Sequence, residues 1–454
     1  MGMNIDTHEP IINRLHGDKV IWIVVFLLSL ISIALIYSSS SSLAFKEGVT
    51  NFSFLMNQCQ FVLLGLVALY ICYKIPLGVY RYFTFIIFAV SLVFLMLTPI
   101  IGKEINGAKR WIELGPISFQ PAEFIKITLV LYLARALEMW KMSTFKEFFT
   151  KIIIPIGVVC VLIMMSSVST ALIIGALSFV ILFIAGIKWS YLLKAVGIGA
   201  GTLTVIILLN MALVGLFDVD LFPRFSTALS RLEKYFVKTE LAEGMSAEEK
   251  QKKADETFQA DMAKIAISSA NILGKGPGKS TQRYVLPHPY SDFIYTIIIE
   301  EYGLLGGVFV LMLYLWLFYR CIILVRNCTK TFTAISVGGL GLMISTQAGL
   351  HILVNVGILP VTGHTLPLIS LGGTSFIIFS CAFGIILSVS RTIDIDAAKQ
   401  DEERIRLKEL QEQKEREKRE RELLEAEKSE DAQQQTDEEP VFHDIIDEQT
   451  GEFK

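Results

Sequence analysis

The chain has 454 residues, of which 53% are hydrophobic and 19% are charged, and its formal net charge is −3. Its mean hydropathy is +0.54. Because soluble globular proteins carry a charged fraction nearer about 25%, this composition excludes that class and indicates an integral membrane protein. The first apolar run, from Val20, is too long for a cleavable signal peptide and has no small-residue cleavage site.

Long apolar runs recur along the chain. A membrane-spanning helix needs about 20 apolar residues, and such runs occupy residues 20–40, 54–74, 82–101, 121–140, 152–166, 168–187, 190–216, 293–325, 333–356 and 366–390. The sequence therefore predicts an all-α polytopic membrane protein with about ten transmembrane helices. The fifth and sixth runs are short and meet at the polar residues 166–170, where we expect a hinge. The eighth run is longer than a bilayer requires, so we expect its first turns at or above the outer interface.

Lysine and arginine residues in the short loops predict the orientation, because these residues concentrate on the cytoplasmic side. With a cytoplasmic N-terminus, the inner loops hold most of them, including Lys74, Arg320 and Arg391. An even number of helices then places both termini in the cytoplasm. The predicted parts are a cytoplasmic segment, a membrane domain with one large extracytoplasmic loop, and a charged cytoplasmic tail, partly helical or disordered, at residues 1–19, 20–391 (loop 217–290) and 392–454.

The connection between the third and fourth helices carries Lys109, Arg110 and Trp111. One interpretation places the two cations against lipid headgroups and Trp111 in the interfacial aromatic belt. The other makes the cations a clamp for a pyrophosphate, because a guanidinium fork and an ammonium both suit phosphate oxygens. The sequence leaves both interpretations open.

Glu123 and Lys126 lie at the outer end of the fourth helix. Pro121 suits the first helical position, and Glu123 then lies at the positive end of the helix dipole. Lys126, three residues on, shares a face with Glu123. It is interpreted either as a lysine that extends to the interface or as the partner of Glu123 in a buried ion pair that lines a cavity.

A third polar group precedes and enters the eighth helix. Asp292 follows Ser291, and either residue could cap that helix. Glu300 and Glu301 lie two turns deeper, and an unpaired charge at membrane depth costs roughly 2.5 kcal/mol or more. Carboxylates at this depth therefore require a wet or paired environment and indicate a functional site.

Three other features receive structural interpretations. The glycine-rich run 273–280 lacks the spacing of a phosphate-binding loop, so we expect a turn with positive backbone angles. The six cysteines lie in or beside apolar runs without metal-ligand spacing and do not indicate a disulfide framework. The tail has opposite charges at i,i+3 and i,i+4 spacing, which supports a solvated helix or, alternatively, a segment that docks onto a partner.

Together, residues 107–112, 120–126, 291–303 and 362–375 resemble the SEDS proteins (shape, elongation, division and sporulation). The resemblance runs from about Lys19 to Arg391. The stretch Thr-Leu-Pro-Leu-Ile-Ser within 365–370 favours the division type over the elongation type. The resemblance implies a ten-helix glycosyltransferase of the bacterial inner membrane.

Two departures from the family's pattern limit what is carried over. Family members often have Gln-Pro-Asp where this chain has residues 165–170, so no role of that aspartate is transferred. The usual Glu-Ala-His is here His288-Pro289-Tyr290, so His288 receives no role by analogy.

The resemblance implies that the enzyme polymerises lipid II, an undecaprenyl-pyrophosphate-linked disaccharide-peptide, with Asp292 as general base. The substrate-binding residues are then Lys109, Arg110, Trp111, Glu123 and Lys126, with Glu300 and Glu301. A divalent cation, Mg²⁺ or Mn²⁺, would suit the pyrophosphate, although no metal-ligand spacing indicates one. The implied partners are a class B penicillin-binding protein, other divisome proteins and the membrane; no nucleic acid is expected.

Two other classes fit a many-helix chain with charges at membrane depth. One is a flippase that moves lipid II across the bilayer. The other is a non-enzymatic scaffold that recruits the penicillin-binding protein. Only the enzyme requires the carboxylate of Asp292 for polymer formation, which distinguishes the three.

Overall fold

The computed structural model describes residues 16–40, 48, 50–105, 108–115, 117–217, 258–259, 261–286 and 288–437. Most of the predicted N-terminal segment, much of the predicted loop 217–290 and the end of the tail therefore lie outside the described residues. The chain divides into two compact units, Met1–Ile393 and Asp394–Lys454.

The elements follow in chain order. They are α1 (Lys19–Ser39), α2 (Asn51–Lys74), α3 (Leu77–Ile101), β1 (Lys103–Ile105), β2 (Ala108–Leu114), β3 (Ile117–Phe119), α4 (Pro121–Met139), α5 (Phe145–Met164, with a π-helical turn at Phe149–Ile153), α6 (Val168–Ile184), α7 (Trp189–Phe217), a short 3₁₀ turn (Gln282–Tyr284), α8 (Ile294–Asn327), α9 (Thr331–Asn355) and α10 (Thr374–Asp437).

The predicted helix count is confirmed. Eight helices in the described ranges are long and apolar enough to cross a membrane, and α6 is a shorter apolar helix. The tenth, α4, carries four charged residues in its 19. The predicted hinge also lies where expected, because α5 ends at Met164 and Ser167 caps the start of α6.

Helices α4 and α9 form the centre of the first unit. Helix α9 packs against α8 and α4, and α4 packs against α3. In contrast, only 6% of the most apolar stretch of α7 is buried inside the protein, so we expect α7 to present its side chains to lipid. The charged composition of α4 explains its central place, because charges at membrane depth need protein neighbours.

A small antiparallel sheet interrupts the all-helical pattern between α3 and α4. Its strands follow the order β1-β2-β3, with Lys103 opposite Trp111 and Glu113 opposite Ser118. Gly115, with φ of +66°, lies in the turn between β2 and β3. The sequence analysis treated this stretch as a plain connection, because strands of three residues carry too little periodicity to be recognised.

A buried ion pair joins elements at one end of the bundle. Asp18 Oδ2 accepts hydrogen bonds from Arg320 Nε at 2.7 Å and forms an ion pair with Nη2 at 2.6 Å, while its Oδ1 caps α1. Arg391 Nη2 donates to the Lys74 carbonyl at 3.2 Å at the same end. The structure thus gathers residues that the sequence analysis assigned to the inner loops.

Helix α8 bends sharply at Gly303, whose φ is +71° and ψ is −172°. The bend frees main-chain groups, which pair instead with the outer segment, defined here as residues 272–284. The amides of Lys275 and Gly276 donate to the carbonyls of Glu300 and Glu301, each at 2.9 Å. The predicted positive backbone angles of this segment are confirmed, with φ of +76°, +99° and +73° at its three glycines. The bend therefore docks the outer segment onto α8 through main-chain bonds.

All six cysteines are free thiols, as the sequence predicts. In the second unit, α10 continues to Asp437, and every side chain from 394 to 421 is exposed. This agrees with the interpretation of the tail as a solvated charged helix.

Replacing Gly303 tests the bend. A β-carbon at Gly303 would overlap the carbonyl oxygen of Ile272 and meet the amide of Gly274. We expect Gly303→Ala to lower the free energy of unfolding by more than about 4 kcal/mol, because it combines backbone strain with a main-chain clash. The matched control is Gly199→Ala in α7, where a β-carbon meets no atom within 4 Å. Thermal unfolding in detergent measures both, and equal melting temperatures would contradict the expected close approach.

Candidate functional site

Asp292 lies in a tight turn just before α8. The turn is held by the His288 carbonyl, which accepts from the amides of Ser291 and Asp292, each at 3.1 Å. The N-cap residue of α8 is Phe293, whose side chain makes no capping hydrogen bond. The capping interpretation of Ser291 or Asp292 is therefore wrong. Asp292 is half-buried, and Ser291 Oγ donates to its Oδ1 at 3.0 Å.

The backbone of Asp292 is fixed by α9. Asn355 Nδ2 donates to the Asp292 carbonyl at 3.0 Å and to the His351 carbonyl at 2.9 Å. Its Oδ1 accepts from the amide and the hydroxyl of Thr296 at 3.1 and 2.9 Å. One amide side chain thereby joins the start of α8 to the end of α9.

The connection from α9 to α10, here called the return loop (residues 356–373), passes beside the acid. A β-carbon at Gly363 would lie 3.6 Å from Asp292 Oδ2, and Gly363 itself is exposed with φ of +69°. Ser370 Oγ donates to the Ser291 carbonyl at 2.8 Å. The acid therefore faces a surface without a side chain, where a ligand can approach closely.

Glu123 and Lys126 form a buried ion pair, with Nζ and Oε2 separated by 2.7 Å and exposed fractions of 6% and 3%. The pair is not aligned as a hydrogen bond, because Glu123 Oε2 has no such partner in the described part of the chain. The buried ion pair is confirmed and the snorkelling interpretation is wrong, while a cavity lined by the pair stays a prediction. Lys126 Nζ also donates to Gln347 Oε1 at 2.5 Å.

Gln347 connects this pair to the return loop, because its Nε2 donates to the Thr365 carbonyl at 3.1 Å. The next residue back, His364, accepts at its carbonyl from His351 Nδ1 at 2.7 Å. A continuous series of contacts thus runs from α4 through α9 to the loop that flanks Asp292. The structure brings Asp292, Glu123 and Lys126 into one framework.

Arg110 belongs to the same region. Its Nε donates to the Ser166 carbonyl at 3.1 Å, at the hinge between α5 and α6. Burial, followed by the positive charges of Lys126 and Arg110, lowers the pKa of His364 to about 3, with a smaller effect from His351. Arg110 and Lys126 are therefore close enough to act electrostatically on one imidazole of the return loop.

Lys109 and Trp111 differ from Arg110. Successive side chains of a strand point to opposite faces, so Arg110 projects away from both neighbours on β2. Lys109 is exposed, whereas Arg110 is half-buried. The structure thus separates the two cations that the sequence analysis grouped as one clamp, and only Arg110 meets the framework around Asp292.

Glu300 and Glu301 are buried and contact the chain itself. Glu300 pairs with Lys275 at 2.6 Å and accepts from Thr281 Oγ1 at 2.9 Å, and it also accepts from Ser280. Glu301 accepts from Ser38 and lies 4.0 Å from Arg283. These contacts explain how the two carboxylates tolerate burial: they anchor the outer segment. Their predicted substrate contact stays a prediction.

Sequence analysis missed the polar face of α9, formed by Gln347, His351 and Asn355. Their four-residue spacing places them on one side of a helix. A polar stripe at that spacing in an apolar helix was the available signal. These three residues connect Lys126, the return loop and Asp292.

The described residues contain no group of three or more His, Cys, Asp or Glu side chains arranged to hold a metal ion. The chain thus offers no preformed cage there for the expected Mg²⁺ or Mn²⁺. No catalytic step is derived through a cation, and the expectation stays a prediction.

The ion pair gives a direct test of this framework. We expect Lys126→Met to lower the free energy of unfolding by about 3–5 kcal/mol, because it leaves Glu123 buried without its partner. The double variant Glu123→Leu with Lys126→Met should be milder, since no charge is left unpaired. Lys103→Met is the control, because Lys103 pairs with Glu113 at the surface, with exposed fractions of 58% and 52%. Thermal unfolding measures the three variants. A melting temperature of Lys126→Met no lower than that of Lys103→Met would rule out a stabilising role of the buried ion pair.

The chain is similar to known proteins in both sequence and fold. The family model described as cell cycle protein, which groups FtsW, RodA and SpoVE, matches residues 18–394. A probable peptidoglycan glycosyltransferase FtsW from Hydrogenovibrio crunogenus is 31% identical over 379 residues, which cover 81% of this chain and 90% of that protein. A protein of the same name from Coxiella burnetii is 28% identical over 381 residues, covering 81% and 95%.

Solved structures share the fold. The rod shape determining protein RodA of Thermus thermophilus superposes with a TM-score of 0.57 at 25% identity, covering 84% of this chain and 98% of that one. A chain of a peptidoglycan synthase complex that coordinates polymerization and crosslinking superposes with a TM-score of 0.64 at 24% identity, covering 83% and 98%. The chain belongs to the FtsW, RodA and SpoVE family of cell cycle proteins.

Proposed function

We propose that this chain is a peptidoglycan glycosyltransferase of the division type, which polymerises lipid II at the outer face of the bacterial inner membrane. The predicted enzyme class is confirmed by the relatives, which are named probable peptidoglycan glycosyltransferases FtsW. The residue assignment rests on the position of the acid that immediately precedes α8. Asp292 is half-buried, precedes the N-cap residue Phe293 and lies beside the exposed Gly363.

Asp292 acts as the general base in this proposal. Its carboxylate accepts the proton of the 4-hydroxyl on the acceptor's GlcNAc sugar. The acceptor oxygen bonds to the anomeric carbon of the donor, and the bond from that carbon to the pyrophosphate oxygen breaks. The electron pair leaves with undecaprenyl pyrophosphate, while the proton stays on Asp292. Ser291 Oγ, at 3.0 Å from Oδ1, helps to hold the carboxylate in place.

The basic residues stabilise the leaving group. Negative charge develops on the pyrophosphate as the bond breaks, and preorganised donors at that position usually supply the largest share of catalysis. Arg110 and Lys126 provide positive charge on the side of the return loop. Both cations are held by the chain, Arg110 at Ser166 and Lys126 at Glu123 and Gln347. They therefore need little reorganisation during the reaction.

The distribution of charge supports the proposed orientation. Asp18, Lys74, Arg320 and Arg391 meet at one end of the bundle. Basic residues of short loops mark the cytoplasmic side, so this end faces the cytoplasm. Asp292 and Arg110 belong to connections on the opposite side. The sugars of a lipid-linked substrate in the outer leaflet lie on that side.

A class B penicillin-binding protein is the partner we propose, together with other divisome proteins. The structural neighbour is part of a complex that coordinates polymerization with crosslinking. Glycan polymerisation and peptide crosslinking act on the same polymer, so coupling the two in one complex suits this chain as well.

Asp292→Asn tests the general base. We expect polymer formation to fall by at least about 100-fold, because an amide cannot accept the hydroxyl proton. Product length on gels measures the effect, with purified full-length protein, its penicillin-binding partner and lipid II. The control is Asp261→Asn, whose carboxylate is 52% exposed and lies 3.8 Å from Lys264. Full polymerisation by the Asp292 variant would refute the assignment, and lipid II translocation without polymer formation by the unmodified chain would favour a flippase.

A further inference from the structure

His364 occupies a buried position in the return loop. The residue is 9% exposed, and its Nε2 has no hydrogen-bond partner within the described ranges. An unsatisfied buried polar atom costs about 1–3 kcal/mol. Because buried polar atoms in proteins are normally hydrogen-bonded, we expect the Nε2 atom to have a partner other than the described residues.

The ring is not needed to hold the loop. The main chain around it is fixed by its own bonds: the His364 carbonyl accepts from His351, the Thr365 carbonyl from Gln347, and the Leu366 amide donates to Ser370 Oγ at 2.8 Å. Helix α9 and the loop itself therefore set the backbone path. This backbone positions the imidazole, and its Nε2 atom has no hydrogen-bond partner among the described residues.

The groups around the ring indicate the chemistry of that partner. The charges that act on it are positive, from Lys126 and Arg110, and His351 adds a smaller effect. Glu123 faces Lys126, and Asp292 lies beside the neighbouring Gly363. Lys126 is paired with Glu123, so together with Arg110 the group has a net positive charge beside the ring nitrogen. That charge and a ring nitrogen suit a phosphate anion, and the nearby carboxylate of Asp292 suits the sugar that the anion carries.

We propose that His364 donates its ring N–H to a phosphate oxygen of the donor's pyrophosphate and so forms an anion subsite with Arg110 and Lys126. This rests on the proposed function and adds a residue to its substrate site. Phosphate oxygens accept several donors at once, and a neutral N–H can contribute without the cost of burying a third charge. The subsite holds the leaving group while Asp292 faces the acceptor hydroxyl.

Binding of pyrophosphate probes tests the subsite. The probes are farnesyl pyrophosphate and inorganic pyrophosphate, each titrated at low salt onto the full-length protein in detergent. We expect His364→Phe to weaken farnesyl pyrophosphate binding by about tenfold, the effect of losing one hydrogen bond to a charged group. His364→Gln, whose amide can still donate, should stay within about threefold. The control is His16→Phe, which alters an exposed histidine at the cytoplasmic end.

The two probes separate the sources of the anion. Weaker binding of both probes by His364→Phe supports recognition of the pyrophosphate group itself. Weaker binding of farnesyl pyrophosphate alone supports recognition of a lipid-linked pyrophosphate. If His364→Phe binds both probes as tightly as the unmodified chain, the inference is overturned.

A second measurement uses the unmodified protein and therefore does not depend on whether a variant folds. The chain has only 6 histidines, so selective labelling lets the imidazole signals be followed by NMR. Burial and the neighbouring cations lower the pKa of His364 to about 3 in the free protein. A bound pyrophosphate should shift its signal and raise that pKa. No change at His364 at saturating farnesyl pyrophosphate would overturn the inference.

These results separate the subsite from the general base. Should Asp292→Asn polymerise normally while His364→Phe weakens probe binding, the base assignment fails and the anion subsite stands. Should Asp292→Asn be inactive while His364→Phe binds both probes normally, the base assignment stands and the subsite fails.

Discussion

The buried charge of Lys126 is the constraint on which the rest of the site depends. An ammonium group with a 3% exposed side chain at membrane depth requires a partner, and Glu123 supplies it at 2.7 Å. Gln347 accepts a hydrogen bond from Lys126 and donates one to the Thr365 carbonyl in the return loop. These contacts connect the ion pair of α4 to the loop that passes beside Asp292. The same contacts place positive charge near a candidate pyrophosphate site without leaving it unpaired.

The acids of the outer half fall into two groups by their surroundings. Asp292 is half-buried, faces an exposed glycine and is fixed through its backbone by Asn355. Glu300 and Glu301 are buried and hold the outer segment. The bend at Gly303 makes this division possible, because it gives the outer segment main-chain partners on α8. Acids that are close in sequence thereby take different roles.

The sequence was sufficient for features that follow from composition and spacing. Apolar runs predict the ten helices, and the three-residue spacing of Glu123 and Lys126 places both on one face and offers an ion pair as one of two interpretations. It was insufficient where contacts depend on distant parts of the chain. Nothing local shows that Glu300 meets Lys275, or that Asn355 reaches the Asp292 carbonyl. Lys109 and Arg110 are adjacent in sequence but project to opposite faces once the segment forms a strand, and their shared clamp stays a prediction.

In the proposed reaction, Asp292 faces the acceptor hydroxyl while Arg110 and Lys126 face the pyrophosphate. An electron cryomicroscopy structure of the Asp292→Asn variant with its partner and trapped lipid II tests this most directly. We expect a sugar hydroxyl within about 3 Å of the side chain at position 292, the reach of a hydrogen bond, and the pyrophosphate against the return loop. Lipid II sugars bound at the cytoplasmic end, or a pyrophosphate remote from Arg110 and Lys126, would contradict it.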